Sequence, residues 1–576
     1  DSNGSYIFDN DIEDAGDDGI DVYNNDGTSV VDNNKIFNTG GNGIEVDYSY
    51  DIQITNNEID ETDANGIYVN NSYSADIEGN EINDNVASWA NTQGHGIYVG
   101  DSNYVDVKNN VVENTVGNGI YVYSSNEAQV NDNRVEDAGE NGIYLSGSDS
   151  SEINRNEIDD VAEHGIKVNP SDYVDIIDND IHDAGWDGIN VDGGIYAEIK
   201  DNHIGDVGFD GIDVNNNYRA VINSNTIHDA YDNGIEVSNS WGVDIIDNDI
   251  TGAGNDGINV DNSDRADIRW NDIYGQDVLA FAIGKAGAGR DGIHVINSDD
   301  VEITNNNIIG GDAGFMAIGG IGAGRDGIHV VNSRNADIID NNISGGSDGI
   351  LAAGGAGAGD DGIYVDNSAY SDIRGNEVSG VGDDGIDVRR SYRVDIVGNT
   401  IANANDNGIT VDSSSYADIN LNIVTLAGGN GVEVSNSFGA DVNDNTVGLI
   451  AGNGVDINDS AYVDVSGNII GLIGNDGINV DDSDNAEIRD NLVILAGGDG
   501  IDVEDSNDTE ITGNGVYFVA DNGIELQDSD NSLIDNNSVG YAGDNGVYVN
   551  DGNNIVISNN MVDNVFDDGI DVNDGS

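Results

Sequence analysis

The side chains with the most capacity for chemistry are carboxylates. The chain of 576 residues carries 110 Asp and Glu against 18 Lys and Arg, a formal net charge of −92. Many of them recur at fixed spacing. Asp337, Asp372, Asp395, Asp418, Asp441 and Asp464 share one phase of a repeat, with Glu487 and Glu510 following. Asp291, Asp326, Asp361 and Asp384 share a second, and Asp213, Asp387, Asp456, Asp502 and Asp571 a third. Stacked at strand spacing, about 4.8 Å, neighbouring carboxylates repel by roughly 1 kcal/mol even in bulk water. Such columns require cations, protonation or high salt. Ca²⁺ is the natural counter-ion, because it takes carboxylate, amide and backbone oxygens. The competing expectation is diffuse screening, as on a salt-adapted surface.

The same charge excludes nucleic acid as a direct partner, since phosphate binding needs a basic surface. There is no apolar run long enough to span a bilayer, so no membrane insertion is expected. With no Cys, disulfides and thiol–metal sites are excluded.

The elements that position these columns follow from an internal repeat. A motif Asn/Asp-Gly-Ile/Val-x-Val recurs from Gly19 to Gly569, giving 23 anchor glycines. Of the intervals between them, seventeen are 23 residues, one is 24, one is 30 and three are 35. From Gly234, the pairs Ile235/Val237 and Val243/Ile245 alternate with the period of a strand, and Ile250 marks a third. Each repeat is therefore read as three short strands joined by turns rich in Gly, Asn, Asp and Ser. Three strands cannot enclose a core, so the coils must stack. A leucine-rich repeat has a similar period but needs a Leu framework and one strand per repeat.

An Asn about fourteen places after the anchor recurs in every coil, including Asn248, Asn271, Asn306, Asn341, Asn376 and Asn399. It is expected to take the left-handed backbone of a corner and to form an amide ladder between coils. Ser six places after the anchor, as in Ser240, Ser263, Ser298, Ser333 and Ser368, serves another corner. The anchor Gly supplies either a positive φ or a close backbone approach.

Segments such as Asp256-Gly257-Ile258-Asn259-Val260 and Asp244-Ile245-Ile246-Asp247-Asn248 resemble the right-handed parallel β-helix repeats of the pectin-lyase-like family. The resemblance covers essentially the whole chain. It implies an all-β right-handed solenoid of about 23 coils, read as a single continuous domain over residues 1–576. It does not carry that family's catalytic motifs. Gly94-His95-Gly96 matches a polygalacturonase-type element, but His95 occupies the Asn/Asp slot before an anchor, as His164 does. Gly382-Asp383-Asp384-Gly385 resembles another such element. Asn91-Thr92-Gln93 lacks the Asp of that set, no Arg-Ile-Lys occurs, and the sole proline, Pro170, precludes Asp-Pro-His. His294 and His329 are expected to stack in adjacent coils beside Arg290 and Arg325. No catalytic residue is assigned.

Residues 276–357 contain three in-register insertions rich in Gly and Ala, expected to stack into a lateral apolar flap that bears Phe281, Ile283, Phe315, Met316, Ile318 and Leu351. Tyr68, Tyr98, Tyr121 and Tyr144 share one outward position in four successive coils and form a second expected contact stripe. The repeat runs to both ends without a capping motif, so rods of roughly 110 Å are expected to stack head-to-tail. The functional expectation is a secreted, extracellular or cell-surface structural protein. It would self-associate into Ca²⁺-stabilised filaments with lateral bundling. The alternatives are a polysaccharide-binding or polysaccharide-modifying β-helix, or a module of a longer adhesin.

Overall fold

A computed structural model describes residues 4–85, 94–275, 281–283, 291–310, 316–318, 326–345 and 360–573. The chain divides into two compact units, Asp1–Asp272 and Ile273–Ser576. In each, successive coils contribute one strand to each of three parallel sheets. A typical coil has strands Ile235–Ser238, Asp244–Ile246 and Asp249–Thr251. The described residues contain no helix.

Register follows the period. Ile212 pairs with Ile235 and Ile235 with Ile258, and the inward neighbours Val214, Val237 and Val260 follow the same order. These side chains are fully buried. Burial of each such side chain contributes roughly 1.5–3 kcal/mol, and stacking makes it available because no coil has a core of its own.

The anchor glycine serves close approach. Gly234 has an ordinary negative φ, but a β-carbon there would overlap the Ile250 side chain of its own coil and the Gly257 carbonyl of the next.

The ladder asparagine differs from expectation in one respect. It does not occupy the left-handed corner; the residue before it does, as with Asp247 (φ 56°) before Asn248. Freed of that role, Asn248 donates from Nδ2 to Asn271 Oδ1 at 2.9 Å and to the Ile222 carbonyl at 3.0 Å, while its backbone N–H also reaches Asn271 Oδ1 at 3.0 Å. In the second unit Asn306, Asn341 and Asn376 each donate to the next ladder oxygen at 3.0 Å, ending on Asn399. Each position donates twice from Nδ2 while its Oδ1 accepts, which a carboxamide does and a hydroxyl, with one proton, does not. The serine corner is built likewise, with the Ser240 N–H donating to Ser263 Oγ at 2.9 Å.

Candidate cation sites on the acidic columns

The column before the anchor glycine needs only an acceptor. The backbone N–H of Asp326 donates to Asp291 Oδ1 at 3.0 Å, that of Asp361 to Asp326 Oδ1 at 3.0 Å, and that of Asp384 to Asp361 Oδ1 at 2.9 Å. An acceptor-only role admits Asp, Asn or neutral His. His95 fills it, since its Nδ1 accepts the Asn118 N–H at 3.0 Å. Burial holds its pKa down at about 4, and thus holds the ring neutral. The Gly-His-Gly element is accounted for by this hydrogen bond.

These carboxylates are buried, and two have an internal counter-ion. His329 Nδ1 lies 3.1 Å from both Asp291 Oδ2 and Asp326 Oδ2. Burial opposes its charge, but the two carboxylates outweigh burial and raise its pKa to about 9. The His294 and His329 rings are neighbours, with centroids 4.9 Å apart. Arg290 and Arg325 lie outside the described residues.

Asp361, Asp384 and Asp387 converge, all three buried, with carboxylate oxygens within 4.8 Å of one another. Burial and neighbouring carboxylates raise Asp361 to about 9; burial likewise raises Asp384 to about 7. Asp387 is 0% exposed. Arg389 Nη2 pairs with its Oδ2 at 2.6 Å, and among the described residues Oδ1 has no hydrogen-bond partner. Burial raises Asp387 to about 6, with Arg389 pulling the other way. Three carboxylates against one guanidinium leave two negative charges when all are ionised, the charge of a divalent cation. The oxygen-only donor set suits Ca²⁺.

Asp456 occupies the same repeat position as Asp387 in a different setting. It accepts four side-chain amides, from Asn430 at 2.9 Å, Asn453 at 3.0 Å, Asn458 at 3.0 Å and Asn479 at 2.8 Å. Its lone pairs are satisfied without a metal. Asp213 accepts from Asn190 at 2.7 Å, and burial with the Asp187 charge raises it to about 7. Burial and Glu525 raise Asp502 to about 7. Asp571 is half-buried and accepts from Asn573 at 3.0 Å.

The third column is in register throughout, Asp337 opposite Asp372, then Asp395, Asp418, Asp441 and Asp464. Burial and adjacent carboxylates raise the pKa of Asp337, Asp418 and Asp441. Sequence reasoning missed its internal braces. Arg374 contacts Asp372 and reaches Asp395 at 3.4 Å, and Arg489 contacts Asp464 and reaches Glu487 at 3.1 Å. The signal was present as Asp-Ile-Arg and Glu-Ile-Arg, a spacing of two that puts acid and base on one strand face.

Of the expected contact residues, Tyr68 and Tyr98 stack at 4.9 Å, Tyr98 meets Tyr121 edge-on at 5.4 Å, and Tyr121 and Tyr144 stack at 4.7 Å. In the insertions, Phe281–Ile283 pairs in parallel with Met316–Ile318, Phe281 opposite Met316 and Ile283 opposite Ile318. Phe315 and Leu351 lie outside the described residues.

With repeat, register and ladders in place, the class is a parallel β-solenoid. The chain belongs to the family described as right handed beta helix region, which matches residues 1–158, 118–273, 233–447 and 453–576. No curated protein matches the sequence. Among solved structures it is similar to PfbA, a surface adhesin of Streptococcus pneumoniae, at 12% identity and TM-score 0.32, covering 55% of this chain and 84% of that one. It is also similar to the catalytic unit of a GH87 alpha-1,3-glucanase from Streptomyces thermodiastaticus, at 13% identity and TM-score 0.33, covering 50% of this chain and 59% of that one. A third is the enzymatically active domain of tailspike protein 2 of bacteriophage CBA120, at 15% identity and TM-score 0.34, covering 45% and 43%. The chain thus spans less than two thirds of the glucanase unit and of the tailspike domain. At these identities the likeness is one of fold alone. Among the described residues no helix is long and apolar enough to cross a membrane.

Proposed function

We propose that this chain is a structural β-helix of the cell exterior, without catalytic activity, whose acidic columns are neutralised by Ca²⁺. The observation that carries the reading is the convergence of three buried carboxylates, Asp361, Asp384 and the fully buried Asp387, on a single guanidinium, that of Arg389. A divalent cation bound only by the folded state stabilises it by mass action. Head-to-tail filaments are the assembly this reading implies, because every coil presents to the next the same row of backbone donors and acceptors. The test is thermal denaturation of chelator-treated protein during a Ca²⁺ titration, with electron microscopy of the same samples. Ca²⁺ should raise Tm and Asp387→Asn should blunt the rise. An unchanged Tm at millimolar Ca²⁺ removes calcium from the account, and monomers alone at high concentration remove the filament.

A second reading, polysaccharide binding, has its own support. Tyr370, Tyr392, Tyr416, Phe438 and Tyr462 form an exposed aromatic ladder with successive ring centroids 5.7, 5.6, 5.6 and 5.1 Å apart. Aromatic faces and edges in a row suit the apolar faces of sugar rings. Retardation in gels containing uronate polymers, lost in Tyr416→Ala, would establish it.

A further inference from the structure

Seven histidines occur in the chain, and three of them meet at one place in the first unit. His182, His203 and His228 lie on strands Asp180–Ala184, His203–Val207 and Thr226–Ala230 of three consecutive coils. The register puts His182 opposite Gly205 and Gly205 opposite His228, with His203 opposite Asp180. His182 and His228 are therefore two coils apart, about 9.6 Å by strand spacing. Their ring centroids are nevertheless 5.8 Å apart, and His203 lies 5.3 Å from the first and 5.1 Å from the second.

The rings converge because the position between them is glycine. A β-carbon at Gly205 would overlap the His228 ring. Simple stacking along a column would keep the outer rings two spacings apart, so stacking does not account for this arrangement.

We propose that His182, His203 and His228 form a site for a divalent transition-metal ion of the zinc class, with Asp180 as a fourth ligand. Three imidazoles bound to one tetrahedral ion at about 2.0–2.1 Å place their ring centroids about 5 Å apart, close to the separations found. The ligand atoms of Asp180, His182 and His203 already lie within 4.8 Å of one another, and Asp180 Oδ1 is 2.9 Å from His182 Nε2. Asp229 Oδ2 lies 3.6 Å from His228 Nδ1, an acidic neighbour on the side of the ring away from Nε2. His182 and His228 side chains are 33% and 31% exposed, so an ion can enter from solvent. Nitrogen donors separate this site from the oxygen-lined columns, which suit Ca²⁺. A bound ion ties three consecutive coils together.

The test uses the full chain in excess Ca²⁺, which competes for carboxylate sites but not for imidazole ones. Zn²⁺ affinity is read by competition with a chromophoric chelator, and geometry by the visible spectrum of the Co²⁺ form. One tight ion per chain with a tetrahedral Co²⁺ spectrum is expected. His203→Ala should weaken the affinity by about 100-fold or more, and Gly205→Val should do so without removing a ligand. Unchanged far-ultraviolet dichroism and Tm of the metal-free variants verify folding. Failure of the folded wild-type chain to bind micromolar Zn²⁺, or equal binding by His203→Ala, overturns the proposal. Neither result bears on the Ca²⁺ reading, which Asp387→Asn tests separately.

Discussion

The two units use one corner of the coil in opposite ways. At the left-handed bend one residue before the end of the third strand, the first unit carries Asp137, Asp160, Asp183, Asp206 and Asp229, with φ between 50° and 55°. At the same phase the second unit carries Leu426, Leu449, Leu472, Leu495, Phe518 and Tyr541, with φ between 60° and 65°. Asp tolerates this left-handed conformation, whereas for Leu it costs roughly 1–2 kcal/mol. The leucines are about half exposed, at 47–54%, so burial does not repay that cost in full. They form a ridge beside a groove of about 720 Å³ that includes Gly428, Ala451, Gly474 and Gly497. The backbone is thus imposed by the stack and not by the corner residue. Surface chemistry is then free to vary: the first unit places His and Asp on this face, the second an aliphatic ridge.

The comparison fails most severely where the stack itself fails. Asn468 in the second unit and Asn179 in the first are equivalent ladder positions, each bonded to the next ladder Asn. Asn→Asp at either should cost about 3–5 kcal/mol, since a buried charge replaces a donor. Urea denaturation should give similar losses at both; a loss at only one would mean that the units are held differently.

Next comes pH. His95 has a folded pKa of about 4 against an ordinary 6.5. Its contribution, on the order of 3 kcal/mol, is complete above pH 6.5 and lost as pH falls toward 4. His95→Asn, which keeps an acceptor, should remove that loss. Buried carboxyls act in the opposite sense. Glu236, raised from 4.5 to about 8 chiefly by burial, stabilises fully below pH 4.5 and loses its contribution as pH rises to 8. Glu236→Gln should flatten the alkaline limb of a Tm–pH profile.

The smallest effect addresses the comparison directly. Leu472→Asn should raise stability by about 1 kcal/mol by relieving left-handed strain, and Asp183→Leu should lower it by a similar amount. If Leu472→Asn lowers the urea midpoint instead, packing along the ridge outweighs the strain.

Fold was legible because the repeat states it many times over. The period, the three apolar pairs and the ladder Asn each follow from spacing alone. The left-handed corner was read one residue late, because Asn favours both a corner and a ladder and here does only the second. Burial of Asp387 was hidden because alternation marks it as outward, while neighbouring coils cover it completely. The histidine column was readable from the period, since His182, Gly205 and His228 follow one another at 23 residues; the ring convergence over Gly205 needed the structure. The arginine braces were readable in Asp372-Ile373-Arg374 and Glu487-Ile488-Arg489, where a spacing of two puts base and acid on one strand face.

The two hydrogen-bonding columns also differ in how they age. An amide followed by glycine is the sequence context most prone to spontaneous hydrolysis to a carboxylate. In the column before the anchor, Asn65, Asn118, Asn141, Asn233 and Asn407 all stand in that context. Hydrolysis there yields isoaspartate together with the Asp that the column already accepts at Asp326, Asp361 and Asp384. Ladder asparagines are followed by other residues, apart from Asn514. Chemical wear would therefore add charge to the column before the anchor and remove its amide donors, such as Asn118 Nδ2 to Glu140 and Asn141 Nδ2 to Asn118 Oδ1, while the backbone acceptor and the ladder amides persist.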